Sequence, residues 1–548
     1  MWSRPAVEGS RGRQAQRVWW GAALTAVVLV LPACGGGGGG GGGDSTSTKT
    51  DSGAWGATLK RAGEPVKGGT LTVDVLSGAK GISPLYFNEQ PSNNTIQIMM
   101  QVFDQLVTLE PGSLDPKPGL AETWEVSKDG LTYSFQLREA QFSNGSPVTA
   151  ADVKFSLESV GDSLFANLFS AVKSIETPSE RAVVLKLSHP SPGLIYNLAF
   201  PGASIMPKAV VKDMGEEAYN KAPVGSGPFV VSSWTREQRV ELTRNDKHWR
   251  TGMPYLDKVV LNVVPDDNTR VLNVRSGTSD VADSVPFSQI DSLDSSGDVD
   301  VLLGPGADMF TVSLNNSKPP LNDPQVRRAL ALATPVDEII GVVFKGKAPA
   351  MNTVLPKLKY WTDAAKRVPY DLEAAKAALA KSSAPNGFST VIRYSAEDQA
   401  SGQTAQILQE SFKKIGVTVK IEPQDSATFS EFTRGNYEIR IQQPGQSTSD
   451  VPIDDQFTTL YFNSPAIDNL FTFFKDDTLA DLTHKAVRTV DEQQRADLFK
   501  QIHIRSMELL PRIPIAYTPN RAAVSAKVGD FNYLLNGWWR LDRVWKTK

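Results

Sequence analysis

The chain has 548 residues, with 57 Lys and Arg against 60 Asp and Glu, 40% hydrophobic residues and a single cysteine. This is the composition of an ordinary soluble globular protein, too long for one small core, so two or three lobes are expected. Without the four arginines and one glutamate of the first 33 residues, 53 basic and 59 acidic residues remain, a balance that gives no footprint for nucleic acid. The single cysteine excludes an intramolecular disulfide and a thiolate zinc site.

The N-terminus reads as an address. Arg4, Arg11, Arg13 and Arg17 precede the apolar run Val18–Leu31, whose 14 residues suit a signal peptide and fall short of the ~20 needed to span a bilayer. Leu31-Pro32-Ala33-Cys34 then resembles a bacterial lipobox, with residues 1–33 removed and Cys34 lipidated as the new N-terminus. Gly35–Gly43 and the Ser/Thr/Lys/Asp run that follows carry too little apolar surface to fold. Residues 34–66 are therefore expected to be a flexible tether, with a span of roughly 30 Å for a Gly/Ser coil of that length.

Folding is expected from Lys67-Gly68-Gly69, with a strand at Thr70–Leu76 and a loop over Leu85–Asn94. Leu131, Tyr133, Phe135 and Leu137 alternate with polar residues, the period of a half-buried strand, and Asp129-Gly130 turns it back on Thr123–Val126. After the Asn144-Gly145 turn, Thr149 and Asp152 form a reciprocal cap for a helix whose apolar face is Val153, Leu157 and Val160. Gly225-Ser226-Gly227-Pro228-Phe229 allows a tight backbone entry into a strand in which Val240 and Leu242 alternate with Glu241 and Thr243. Asn322 or Asp323 caps a helix with Pro324 in its first turn, and Pro335 ends or kinks it. Helices are expected at Asp371–Lys381, Thr404–Ile415 and Glu492–Leu509. Gly416 caps the second, and the strand Val417–Ile421 follows at once, the mark of an α/β lobe.

The order of these pieces carries more than their secondary structure. Ala121–Glu158 resembles the pattern L-A-x-x-W-x-x-x-x-D-G-L-x-Y-x-F-x-L-R followed by F-x-x-G-x-x-x-x-A-x-D-V-x-F-S. This is the signature of extracellular solute-binding proteins of the dipeptide/oligopeptide/nickel class, the ligand-capturing subunits of ATP-driven (ABC) importers. Gly225–Trp249 and Leu314–Ala333 resemble that family's second and third blocks, and the likeness runs over roughly 67–545. There are departures. Ile82-Ser83-Pro84 stands where relatives have L-D-P, and Thr334-Pro335-Val336 where they have I-D-R.

The resemblance implies an α/β, two-lobed periplasmic-binding-protein-like fold of the large peptide-binding type with an extra subdomain. Lobe I would be 67–85 with 206–312 and 513–548, the extra subdomain 86–205, and lobe II 313–512. It also implies a ligand cleft between the lobes, an ABC permease as partner, a monomer, and a place on the outer face of the cytoplasmic membrane. The candidate ligand residues are Tyr86, Asn88 and Glu89 in the first loop, Phe310, Trp361 and Trp538 as stacking aromatics, and Gln442, Gln443 and Asp450. Asp450 is the positional match to the aspartate that pairs with a peptide's amino group in relatives, with Asp454 or Asp455 as substitutes. Gln442-Gln443 replaces the family's tryptophan and suits a peptide backbone or a sugar hydroxyl equally. Oligopeptide is the leading ligand, with an oligosaccharide, metal chelate or haem as alternatives.

Enzyme signatures do not hold together. Four scattered histidines lack metal-ligand spacing, and no G-x-S-x-G, Walker A or H-E-x-x-H occurs. Ser-x-x-Lys appears at Ser77–Lys80 and Ser170–Lys173 without its partner motifs. No cofactor and no metal site are expected. The rival from another class is a secreted hydrolase using an unrecognised carboxylate pair.

Overall fold

The computed structural model describes residues 48–53, 55–89, 93–160, 166–431, 435–442, 453–464 and 468–547. Cys34 with its lipobox, Gln443 and Asp450 lie outside these residues. Of Asn88, Glu89 and Gln442 only the backbone is described.

Ten strands form one sheet. Its order is Phe229–Thr235, Arg239–Arg244, Lys258–Val263, Thr70–Val75, Val281–Asp283, Arg512–Ser525, Val299–Leu314, Ile439–Gln442, Phe388–Ser395 and Val417–Gln424. The two long central strands, Val299–Leu314 and Arg512–Ser525, pair antiparallel from Val299 opposite Ser525 to Ser313 opposite Arg512. They pass through two separate cores. Leu302, Ala522 and Val524 belong to the first, with Leu71, Val73 and Leu242. Met309, Val312, Ile513 and Ile515 belong to the second, with Leu330, Ile392 and Phe412. The pairing shifts between Gly304 and Asp308, at the passage from one core to the other. There the Ala307 amide donates instead to the Leu535 carbonyl at 3.0 Å.

Strand direction fixes where a cleft must lie. Val281–Asp283 runs antiparallel to Arg512–Ser525 and parallel to Thr70–Val75, which is parallel to Lys258–Val263. These three strands therefore point their carboxyl ends toward the second lobe. Ile439–Gln442 is antiparallel to Val299–Leu314 and parallel to Phe388–Ser395, so the second lobe's parallel strands point back toward the first. The carboxyl ends of parallel strands face each other across the crossing, where α/β proteins bind ligands.

A smaller four-stranded antiparallel sheet, ordered Ala121–Val126, Thr132–Leu137, Ala182–Leu187 and Val172–Ser179, carries the expected hairpin. Gly130 sits at φ +70°, as the turn requires. The helix Ala150–Val160 begins where the Thr149–Asp152 cap places it, with a difference in chemistry. The Asp152 carboxylate accepts from both the Thr149 amide (2.9 Å) and its hydroxyl (2.6 Å), while the Asp152 amide donates to the Thr149 carbonyl (3.1 Å). Gly225 and Gly227 are there for close approach: a Cβ on either would collide with the Val102 backbone. Asp323 caps the helix Pro324–Leu332, and Pro335 separates it from the next helix, Val336–Val343.

The described part of the expected tether, residues 48–53 and 55–66, is not a free coil. Two antiparallel strands, Thr48–Gly53 and Gly56–Arg61, lie within it, and the second pairs with Asn532–Leu534. Ala57 and Leu59 are buried in the first core, and Arg61 reaches Asp300 at 2.6 Å. Low-complexity flanks hide this strand in the sequence, because its partner comes from the far end of the chain.

Candidate ligand cleft

At the crossing of the long strands lies a polar cavity of about 30 Å³, lined by Asp283, Ser284, Asp308, Thr518, Arg521, Tyr533 and Asn536 among others. Asp283 is the last residue of its parallel strand, which is why it faces the crossing. Its carboxylate accepts from the Tyr533 hydroxyl and from Ser284 Oγ (3.1 Å). Burial raises its pKa above the usual carboxylate range, against those two bonds and the nearby Arg270 and Arg521 guanidiniums. Burial first, then the Asp283 charge, lifts the Tyr533 phenol well above its ordinary value. Arg521 donates to the Val285 carbonyl at 2.6 Å and stacks on Phe287 at 4.2 Å. Asn536 is 7% exposed, and its amide oxygen and nitrogen have no hydrogen-bond partner among the described residues. A cavity of this size holds about one water, and its lining both donates and accepts.

The second-lobe half of the same long strand carries buried polar groups. Thr311 and Ser313 stand on one face of Val299–Leu314, flanked by Arg440 on one neighbouring strand and by Arg512 on the other. Arg440 lies over the Phe429 ring at 3.6 Å and Arg512 over Tyr461 at 3.9 Å. Burial lowers the Arg440 pKa to about 9, still charged at neutral pH, and lowers that of Arg512. The Tyr461 phenol is pushed up to about 12, by burial above all, with Asp308 adding to it and Arg512 opposing.

The lobes touch. Tyr461 belongs to the helix Asp454–Phe462, and in its first turn Asp455, fully buried, packs against Gly193 at the start of the short helix Leu194–Asn197. Arg495 lies 3.8 Å from that carboxylate. Ile453 joins the first lobe's core, and Val490 packs on Gly130. His189 is held below its ordinary pKa by burial, then by Arg488 and His484.

The sequence-predicted residues divide. Tyr86, half-buried, packs on Gly81 in the short helix Pro84–Glu89, which also holds the Asn88 and Glu89 backbones. The departure at Ile82-Ser83 is met by Asn220, whose side-chain oxygen accepts from both amides at 2.9 and 3.1 Å. Trp361 is half-buried beside the hydroxyl of Tyr517 on the long strand Arg512–Ser525, with the Lys357 ammonium 4.8 Å from its ring. Phe310 is fully buried edge-on to Phe344, and Trp538 is buried in the first core. Asp454 and Asp455, the proposed substitutes for Asp450, are occupied within the protein: Asp454 accepts from the Tyr360 amide at 3.3 Å, and Asp455 faces Gly193 and Arg495. Sequence reasoning missed Asp283, Arg521, Tyr533 and Asn536. Only the position of Asp283 at a strand's carboxyl end could have singled one of them out.

Two lobes joined by continuous strands, with a polar crossing between facing strand ends, define a two-lobed solute-binding fold. The family "Bacterial extracellular solute-binding proteins, family 5 Middle" matches residues 115–468, and the chain belongs to it. It is 30% identical over 458 residues to the probable D,D-dipeptide-binding periplasmic protein DdpA of Escherichia coli K12, covering 80% of this chain and 87% of that one. It is 27% identical over 424 residues to the glutathione-binding protein GsiB of the same strain, covering 75% and 82%. Among solved structures, the DppA periplasmic binding protein of Helicobacter pylori in complex with the peptide STSA superposes with a TM-score of 0.77 at 26% identity, covering 88% and 99%. AgaA of A. tumefaciens in complex with agropinic acid gives 0.76 at 28%, with the same coverage.

Proposed function

We propose that this chain is the substrate receptor of an ABC importer, lipid-anchored through Cys34 to the outer face of the cytoplasmic membrane. It captures an oligopeptide between its lobes as a monomer and passes it to a permease. The observation that carries this reading is the polar crossing itself. Facing carboxyl ends of parallel strands meet where two strands join both lobes, and Asp455 touches Gly193 across the gap. Hinge closure over a ligand uses this arrangement. Affinity then comes from burying the solute, and selectivity from polar groups that cost energy if left unpaired. Relatives that bind glutathione, D,D-dipeptides and the peptide STSA support a short peptide. The agropinic-acid complex favours, as a second reading, a small non-peptide acid. Lobe II is taken as 313–512 and the extra subdomain as 86–205, with Asp450 receiving a ligand's amino group.

Native mass spectrometry of the mature chain, made soluble by Cys34→Ser, tests this directly. A ladder of adducts at peptide masses is expected. A single non-peptide mass favours the second reading, and turnover of a bound ligand on long incubation would replace the receptor with a hydrolase.

A further inference from the structure

Three buried arginines of this protein are provided with acceptors. Arg327 donates to the carbonyls of Leu321, Asn322 and Leu509 at 2.9–3.1 Å. Arg270 donates to the carbonyls of Val264, Pro265 and Asp283 at 2.8–3.0 Å. Arg540 is paired with Asp542 at 3.3 Å. Arg512 differs from these three. It is 1% exposed, and its Nε and Nη1 have no hydrogen-bond acceptor among the described residues. Among the described residues its electrostatic neighbours are two phenols, Tyr461 and Tyr437, with no carboxylate. A charged group taken out of water without an acceptor destabilises the fold, so its place calls for a compensating anion.

The surroundings are prepared for one. The Tyr461 hydroxyl, on the ring stacked 3.9 Å from the guanidinium, has no hydrogen-bond partner among the described residues, and neither does Thr311 Oγ1. Thr311 is on the same face as Ser313, which pairs with Arg512. Three side chains thus hold unspent donors in one patch of the second lobe, beneath the helix whose first turn meets Gly193. A carboxylate fits it, since its two oxygens accept from a guanidinium fork and leave lone pairs for two hydroxyls.

We propose that Arg512, with Tyr461 and Thr311, binds the carboxylate of the captured solute, so that the ligand is an acid. This deepens the receptor reading and rests on its cleft, but not on the ligand being a peptide. The carboxylate of a peptide and that of a non-peptide acid are the same chemistry at this site.

Acetate is the first probe, titrated at constant ionic strength against the full mature chain carrying Cys34→Ser. The expected result is a saturable rise in melting temperature that Arg512→Met abolishes and that Tyr461→Phe and Thr311→Val weaken. Without acetate, Arg512→Met melts at the same temperature as the parent or higher, because the methionine loses no hydrogen bond there. An acetate response unchanged in all three variants overturns the proposal. So does a fall in melting temperature of the acetate-free Arg512→Met and Arg512→Lys proteins alike, which assigns the arginine a structural role. If Arg512→Met does not fold while Arg512→Lys melts as the parent does, the two hydroxyl variants decide.

A tryptic digest then separates the two claims. Half of it is methyl-esterified, and capture of the ester is expected to be weaker by about tenfold or more, the effect of losing a charged acceptor. Equal capture of both halves overturns the carboxylate site and leaves the peptide receptor standing. Capture of neither half, with the acetate response intact, overturns the peptide reading and leaves the carboxylate site standing.

Discussion

Gly193 gives the sharpest test of closure. Its backbone lies at φ −70°, ψ −16°, an ordinary helical conformation that alanine adopts without strain. Glycine is needed there for space. A Cβ would fall well inside van der Waals distance of Asp455 Oδ2, with Cγ at 3.2 Å and Ile453 Cδ1 at 3.4 Å. Asp455 is fully buried with Arg495 beside it, so its carboxylate has little room to yield. Overpacking of this kind costs about 1–3 kcal/mol. In Gly193→Ala that cost falls on the closed state alone, because the clash crosses from one lobe to the other. Ligand affinity should therefore drop by about 5- to 150-fold, at ~1.4 kcal/mol per factor of ten. The ligand-free protein should melt as before. Isothermal titration with the co-purifying ligand and thermal melts of the empty protein measure the two quantities. Asp455→Ala in the same chain should restore part of the affinity. Unchanged affinity, or an equal loss of stability in the empty protein, would refute the contact as a closing one.

Three further outcomes are expected. Burial pushes the His503 imidazole down to about 4, and neither ring nitrogen has a partner among the described residues. Its contribution to stability is therefore complete above an unfolded pKa of ~6.5 and is lost as pH falls toward ~4, by at most about 3 kcal/mol. His503→Leu should flatten the loss of melting temperature across that window, and identical slopes would count against it. Asp542 is buried against Arg250 (2.9 Å) and Arg540 (3.3 Å), which hold its carboxyl down at about 2 against the opposing effect of burial. Asp542→Ala leaves two arginines without that partner and should cost about 3–5 kcal/mol in urea unfolding. The pair's contribution is present above an unfolded pKa of ~3.9 and fades as pH falls toward 2. Gly225→Ala should destabilise the first lobe with or without ligand, since its methyl would meet the Val102 carbonyl. A variant as stable as the parent would show that this backbone can move.

What the sequence made legible was local. The Asp129-Gly130 turn, the Thr149–Asp152 cap, Asp323 before Pro324 and the helix Glu492–Leu509 are each decided by residues within a few positions of one another. Gly225 and Gly227 were legible as a tight backbone entry, but not as a close approach to Val102. The strand Gly56–Arg61 was not legible, because its alternation is short and its partner lies at Asn532–Leu534. For the same reason Phe310 and Trp538 read as open choices between cleft and core until their neighbours were in place. The crossing is the extreme case. Asp283, Arg521, Tyr533 and Asn536 come from three separate stretches, and only the fold makes them neighbours. A buried asparagine or arginine carries no sequence mark that separates it from a solvated one.

Small-angle scattering from the mature chain, emptied of ligand by partial denaturation and refolding and then resupplied with what was eluted, tests the two-lobed receptor most directly. The account predicts a smaller radius of gyration on resupply, with Gly193→Ala needing more ligand to reach it. Superimposable curves with and without saturating ligand would contradict it.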